Sequence, residues 1–270
     1  MIKLLKYLFL GLVQGISEVL PISSSGHLIL VQYMLNMKEE GLALEIFLHL
    51  ASLIAVILFL RKRIWKLIKG FCLFVFKKNK EYKNDFMYCI YLVISTIPAV
   101  IAALFLKQYI ESSSILLVGI LLLVNATMLL VLTRFKGTKK IEDMKWHNAL
   151  TIGLFQCAGM FPGISRSGSC LSGAFVNKLD KEEAADYAFL LFIPAVLGAV
   201  VLDIGSIGAL FSNPDIWFYL AAFIVTVITT FYSFKLLLAI IRKGKLSYFS
   251  YYCYLVGGIT VIYCLVNNIR

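Results

Sequence analysis

Two Ser-Gly segments hold most of the residues in this sequence that could do chemistry. The first reads Pro-Ile-Ser-Ser-Ser-Gly-His at residues 21–27, and the second reads Pro-Gly-Ile-Ser-Arg-Ser-Gly at residues 162–168. Serine and histidine can act as nucleophile and proton acceptor, whereas arginine and glycine-rich backbone bind anions. The two segments together therefore indicate one site that handles a phosphate group.

Arg166 is the main candidate for holding the anion, because its guanidinium offers a planar set of N–H donors that suits phosphate oxygens. An alternative is a structural ion pair between Arg166 and Glu18. The phosphate-binding candidates share a hydroxyl or a guanidinium, and they are Ser23, Ser25, Ser165, Arg166 and Ser167.

Ser24 and His27 are the candidates for nucleophile and proton carrier. They are three residues apart, close enough in a helical turn to share a face. A lone histidine in an apolar segment is more often a satisfied core residue, which is our interpretation of His49. The Ser-Ser-Ser-Gly-His cluster favours a functional role for His27.

Gln14 and Glu18 are four residues apart, so on a helix they point to one face. The Glu18 carboxylate could hold a divalent cation, Mg or Ca, or orient His27. The alternative is a hydrogen-bonded carboxyl that fixes the loop. Gln156 repeats Gln14 in the second half, but Met160 replaces Glu18, so the single carboxylate supports two-metal hydrolysis poorly.

Composition sets the environment of these residues. The 270-residue chain is 60% hydrophobic and 15% charged, against about 25% charged in soluble domains. The net charge of +11 comes from short basic runs between apolar stretches, which is typical of membrane proteins rather than of nucleic-acid binding. The six cysteines show no metal-binding spacing and are expected to act as small buried hydrophobes.

Six apolar stretches have the length of a membrane-crossing helix, at residues 44–60, 86–106, 114–133, 187–210, 216–241 and 247–266. Two further apolar segments, 1–36 and 148–177, are interrupted by Pro, Gly and Ser and are expected to be broken or re-entrant helices. The basic stretch 61–83 is expected to be an interfacial helix at anionic lipid head groups.

Lys and Arg are distributed unevenly over the connections between these segments. Nineteen lie in 61–83, 134–145, 178–186 and 242–245, against five on the other side. Since cytoplasmic loops retain positive charge, both termini are predicted to lie outside.

That topology makes the two halves inverted repeats. Residues 11–26 align without gaps to residues 153–168, with seven of sixteen positions identical. We therefore predict one integral-membrane domain over 1–270, built from repeats at 1–133 and 148–266. The predicted fold is an all-α polytopic membrane protein with about six transmembrane helices and two broken segments, whose site lies near the midplane where the repeats meet.

The same architecture is used by transporters, so a lipid-phosphate transporter or flippase is the alternative function. A carrier needs an anion site but no pair such as Ser24 and His27. An intramembrane Ser-His protease is less favoured, because Arg166 beside serines suits phosphate better than a peptide.

The segments 14–27 and 162–168, with Phe-Leu-Leu-Phe-Ile-Pro-Ala at 189–195, resemble the bacterial undecaprenyl-diphosphatases, also called bacitracin-resistance proteins. The resemblance covers essentially the whole chain. It implies hydrolysis of undecaprenyl diphosphate to the monophosphate, which recycles the lipid carrier for peptidoglycan and other cell-wall polymers.

The resemblance also implies a bacterial cytoplasmic membrane location, an active site open to the outer face, divalent-cation dependence and reduced bacitracin sensitivity on overexpression. It leaves a homodimer open. Carried onto this chain, the family's functional positions are Gln14, Glu18, Ser24, His27 and Arg166 with its neighbouring serines. Cys170 replaces a Thr common in the family, which puts one hydroxyl contact to phosphate in doubt.

Overall fold

The structure is a computed structural model that describes residues 1–37, 41–111, 114–135 and 137–269, without the side chains of 41–42 and 106–111. Lys38, Lys136 and Arg270, which entered the charge count, lie outside the described residues. Within them the chain forms α-helices and two short 3-10 turns, Lys80–Tyr82 and Ile141–Asp143. The helices are α1 Ile2–Ser17, α2 Ser24–Met34, α3 Gly41–Lys77, α4 Lys83–Glu111, α5 Ile115–Leu132, α6 Trp146–Ala158, α7 Arg166–Val176, α8 Lys181–Leu202, α9 Ile204–Leu210, α10 Ile216–Arg242 and α11 Ser247–Val266.

Six of these helices, α3, α4, α5, α8, α10 and α11, are long and apolar enough to cross a membrane. This confirms the predicted all-α, multi-pass membrane fold. Each of the six expected apolar stretches supplies one of these candidate crossings.

Two of the expected segments differ in extent. The stretch 187–210 is divided at Asp203, where α8 ends and α9 begins. The basic stretch after residue 60 continues α3 instead of forming a separate interfacial helix. With 37 residues, α3 is about 55 Å long, which exceeds a hydrocarbon core of about 30 Å, so part of it must extend beyond the core.

Both interrupted segments are broken helices, as expected. α1 has 16 residues, about 24 Å, and gives way to an irregular connection before α2 starts at Ser24. In the second half, α6 ends at Ala158 and α7 starts at Arg166. The residues 18–23 and 159–165 between these helices form the first and second loops.

The first loop is buried in protein, not exposed to lipid. Val19, Leu20 and Ile22 belong to the largest hydrophobic core, together with Ala126 and Leu129 of α5. Irregular backbone is tolerated at membrane depth only when protein or a cavity surrounds it. This burial explains how the helix break is accommodated.

The helices of the two halves pack in equivalent pairs. α1 packs against α10 and α6 against α4, while α5 and α11 pack on each other. A methyl group added at Gly11 would lie 2.4 Å from the Ala222 carbonyl oxygen, and one at Gly153 would lie 2.5 Å from the Ser95 carbonyl oxygen. Both glycines therefore allow the same close crossing. The repeat boundaries and the opposite membrane orientation of the halves stay predictions.

Candidate active site

The two loops start their helices in the same way, with a serine at the N-cap. The Ser23 hydroxyl accepts a hydrogen bond from Gly26 N at 3.3 Å, and the Ser165 hydroxyl accepts one from Gly168 N at 3.1 Å. Ser24 and Arg166 consequently occupy the first helical position of α2 and α7. A helix N-terminus presents free N–H groups and partial positive charge, which favour an anion.

The loops contact each other directly. Gly163 N donates to the Ser23 hydroxyl at 2.9 Å, and a methyl group added at Gly26 would lie 2.9 Å from the same nitrogen. Ser23 adopts a φ of 72°, a left-handed conformation that costs energy for a residue other than glycine. The close approach of the two loops maintains this strained backbone, and it confirms the expectation that they lie together.

Asn125 of α5 joins the same loops, and sequence reasoning missed it. Its Nδ2 donates to the Pro21 carbonyl oxygen at 3.0 Å, and its Oδ1 accepts from Ser165 N at 3.1 Å. The signal was present in the sequence, because an asparagine in the middle of an apolar membrane helix indicates a functional or structural partner.

A polar cluster surrounds Glu18, and it includes two residues of α3. Gln14 Nε2 donates to Glu18 Oε2 at 2.6 Å, and His49 Nδ1 lies 2.7 Å from the same oxygen. Because a carboxylate oxygen only accepts, that distance places the proton on His49 Nδ1. Glu45 lies 3.6 Å from the other ring nitrogen of His49. His49 is buried and has partners, as the interpretation of it as a satisfied core histidine requires, and one of those partners is the candidate site residue Glu18.

Arg166 faces a small cavity between the two halves. The cavity is lined by Glu18, Val19, Arg166, Ser167, Ala188, Phe189 and Phe192. The guanidinium lies 5.7 Å above the Phe192 ring, and its buried Nη1 has no hydrogen-bond partner among the described residues. Glu18 forms its close ion pair with His49. The direct Glu18–Arg166 ion pair considered from the sequence is therefore not formed among the described residues, although both side chains line the same cavity.

His27 is held at both ring nitrogens. Nδ1 lies 2.8 Å from the Ser23 carbonyl oxygen, which fixes the proton on that nitrogen, and Nε2 lies 2.9 Å from the Tyr252 hydroxyl of α11. The rings of His27 and Tyr252 also stack, with centroids 5.5 Å apart. The expected pairing of His27 with Glu18 is therefore replaced by Ser23 on one side and Tyr252 on the other.

The remaining predicted residues flank this centre. Ser25 and Ser167 lie in the first turns of α2 and α7, and the Ser167 hydroxyl is 3.1 Å from that of Ser165. Gln156 is buried and accepts a weak hydrogen bond from the Cys170 thiol at 3.4 Å. Cys170 therefore contacts the equivalent of Gln14, and it does not line the cavity beside Arg166.

The donor atoms near Glu18 are compatible with the expected divalent cation. Gln14 Oε1 is buried and has no hydrogen-bond partner in the described part of the chain. It and the Glu18 carboxylate are oxygens of the type that Mg²⁺ and Ca²⁺ prefer. The described residues include no group of three or more His, Cys, Asp or Glu side chains that could hold a metal ion. These oxygens therefore suit a cation that takes further ligands from water and from phosphate.

Similarity to known proteins agrees with this geometry. A family model described as bacitracin resistance protein BacA matches residues 7–259. The chain is 42% identical over 264 residues to undecaprenyl-diphosphatase 2 of Bacillus thuringiensis strain Al Hakam, covering 96% of this chain and 97% of that protein. It is 39% identical over 262 residues to an undecaprenyl-diphosphatase of Oceanobacillus iheyensis, covering 95% of both chains. With matches of this extent, the chain belongs to the bacitracin resistance protein BacA family.

Proposed function

We propose that this protein hydrolyses undecaprenyl diphosphate to undecaprenyl phosphate and inorganic phosphate, and so recycles the lipid carrier used in cell-wall synthesis. The observation that carries the proposal is the cavity shared by Glu18 and Arg166, with a guanidinium N–H at the start of α7 that has no partner in the described part of the chain. An intramembrane cationic group with a free donor fits a phosphate, and the relatives named above are undecaprenyl-diphosphatases.

The second loop binds the terminal phosphate. Arg166 supplies charge and N–H donors, and the first-turn amides of α7 supply further donors. The hydroxyls of Ser23, Ser25, Ser165 and Ser167 complete the set. The same donors stabilise the negative charge on the equatorial oxygens in the transition state, which accounts for much of catalysis in phosphoryl transfer.

Ser24, the first residue of α2, is the proposed nucleophile. Glu18, six residues before Ser24, lines the cavity that Arg166 also lines, and we assign its carboxylate as the proton acceptor. In one route the Ser24 oxygen bonds to the terminal phosphorus, its proton passes to Glu18, and the bond to the bridging oxygen breaks. Undecaprenyl phosphate leaves, and water then releases phosphate from serine. In the other route, Ser24 positions the water that attacks.

His27 holds the first loop in this proposal. Its contact with the Ser23 carbonyl oxygen fixes the residue that precedes Ser24. The sequence indicated that His27 takes the proton of Ser24 or protonates the leaving phosphate, and either role would require His27 to leave Ser23 or Tyr252. Glu18 is the better placed acceptor because it lines the cavity itself.

Gln14 and Glu18 would hold a divalent cation together with the diphosphate. When bound, the cation would neutralise phosphate charge.

The site opens to the outer face of the bacterial cytoplasmic membrane, and both termini lie outside. The active unit is one chain or a homodimer.

The test is phosphate release from undecaprenyl diphosphate by the purified protein in detergent. We expect release by the unaltered chain and loss of at least 100-fold in kcat for Ser24→Ala, on the order of what loss of an activated nucleophile costs. Ser52→Ala is the matched control, because it removes a buried hydroxyl whose partner, Thr230, lies in α10 and in neither loop.

Acid quenching followed by mass spectrometry separates the two routes, since only the first leaves phosphate on Ser24. Full turnover by Ser24→Ala would remove Ser24 from the chemistry. Binding of the lipid diphosphate without phosphate release by the unaltered chain would point to a carrier instead.

A further inference from the structure

Asn125 is a polar exception in α5, whose other side chains are apolar except for Thr127. Its side chain is fully buried. A buried amide without partners costs several kcal/mol in an apolar environment, so the position of Asn125 depends on what it contacts.

The partners of Asn125 come from both loops. Its amide donates to the Pro21 carbonyl oxygen and accepts from Ser165 N. A carbonyl oxygen only accepts and a backbone N–H only donates, so these two partners fix the orientation of the amide. One rigid group thus spans the loops of the two halves, and Nδ2 also lies 3.5 Å from the Cys253 sulfur of α11.

We propose that Asn125 is a positioning residue that sets the distance between Ser24 and Arg166; this inference rests on the proposed phosphatase function. Pro21 is three residues before Ser24, and Ser165 directly precedes Arg166. Each loop leads immediately into a helix that begins at one of these two functional residues. A displacement of either loop therefore moves the nucleophile relative to the group that holds the phosphate.

The bond from Gly163 N to the Ser23 hydroxyl is a second link between the loops, on a different pair of residues. Two links at different residues restrict the rotation of one loop relative to the other as well as the distance between the loops. Reactions that depend on alignment lose rate steeply when the reacting atoms shift by about 1 Å, while binding of the ground state changes less.

The experiment compares Asn125→Leu with Asn148→Leu in the full-length protein. Asn148 is also a buried asparagine that accepts from a backbone N–H, that of Lys145, but its Nδ2 donates to Asn177, which follows the C-terminal end of α7 and belongs to neither loop. We expect Asn125→Leu to lower kcat about 10- to 100-fold with KM changed by less than about threefold, as for misalignment. Asn148→Leu is expected to keep kcat within about twofold.

Hydrogen exchange followed by mass spectrometry gives a readout that does not depend on activity. In Asn125→Leu, the amide of Ser165 loses its acceptor and is expected to exchange faster, whereas in Asn148→Leu the faster exchange is expected around Lys145. Asn125→Gln keeps the amide but lengthens the side chain, so this variant replaces Asn125→Leu in the experiment if the leucine variant does not fold. It is expected to lower kcat in the same direction.

An unchanged kcat in both Asn125 variants would overturn the proposal, as would an equal loss in Asn148→Leu. Unchanged hydrogen exchange at the Ser165 amide in Asn125→Leu would remove the structural basis of the proposal. Absence of phosphate release by the unaltered protein would instead contradict the phosphatase function, and the exchange result would still test whether Asn125 joins the loops.

Discussion

At the scale of single residues, the site depends on differences between equivalent positions. Ser24 and Arg166 both begin a helix after a capping serine, yet one carries a hydroxyl and the other a cation. Glu18 likewise has Met160 as its equivalent in the second half. In the proposed mechanism the first half supplies the reacting groups Ser24 and Glu18, and the second half supplies Arg166, the main group that holds the anion.

His49 is expected to be needed for both stability and activity. In His49→Leu the buried Glu18 carboxylate keeps Gln14 as its remaining close partner among the residues that the structure describes. Removing one member of a buried pair typically costs about 3 kcal/mol, so the thermal midpoint and the rate of phosphate release should both fall. His147→Leu is the control, because His147 is exposed at the start of α6. Equal midpoints and rates in the two variants would show that His49 does not support Glu18.

At the scale of elements, the breaks in the two interrupted helices are what bring functional groups together. Serine, glycine and proline in residues 18–27 and 159–168 predicted these breaks, because such residues satisfy or remove backbone hydrogen bonds at helix ends. The partners of the loops were less predictable. Asn125, His49 and Tyr252 lie on α5, α3 and α11, far along the chain from the motifs that they contact.

Equivalent helix crossings predict equivalent effects of mutation. Gly11→Leu and Gly153→Leu each force a side chain against neighbouring backbone, and overpacking of this kind costs about 1–3 kcal/mol. We expect both to lower the thermal midpoint by similar amounts. Gly198→Leu in α8 should be tolerated, since a methyl group added there would meet no atom within 4 Å from the other elements that the structure describes. A large effect in only one half would contradict equivalent packing of α1 on α10 and α6 on α4.

At the scale of the whole molecule, charged contacts join segments that the charge count assigns to one side. Lys3 contacts Asp215 at 2.5 Å, both on the predicted outer side. Arg242 contacts Glu182 at 3.1 Å, both on the predicted inner side. These contacts fit the predicted topology.

Labelling of introduced cysteines tests the orientation. An impermeant maleimide added to intact cells is expected to label Lys3→Cys but not Lys178→Cys, because the first lies on the predicted outer side. Breaking the cells should make Lys178→Cys reactive. The unaltered chain measures the background from its own six cysteines. The reverse labelling pattern would invert the topology and place the active site toward the cytoplasm.

The sequence by itself determined the membrane-spanning class, the six crossings, the two breaks and the identity of Ser24, Glu18 and Arg166 as functional candidates. Those features follow from hydrophobic length, local turn chemistry and the cost of ionisable groups in lipid, all of which act over short stretches of chain. Only the tertiary structure decided that Glu18 pairs with His49, that His27 is held by Tyr252, and that Asn125 joins the loops. Such contacts depend on how distant helices pack, and local pattern does not encode that packing.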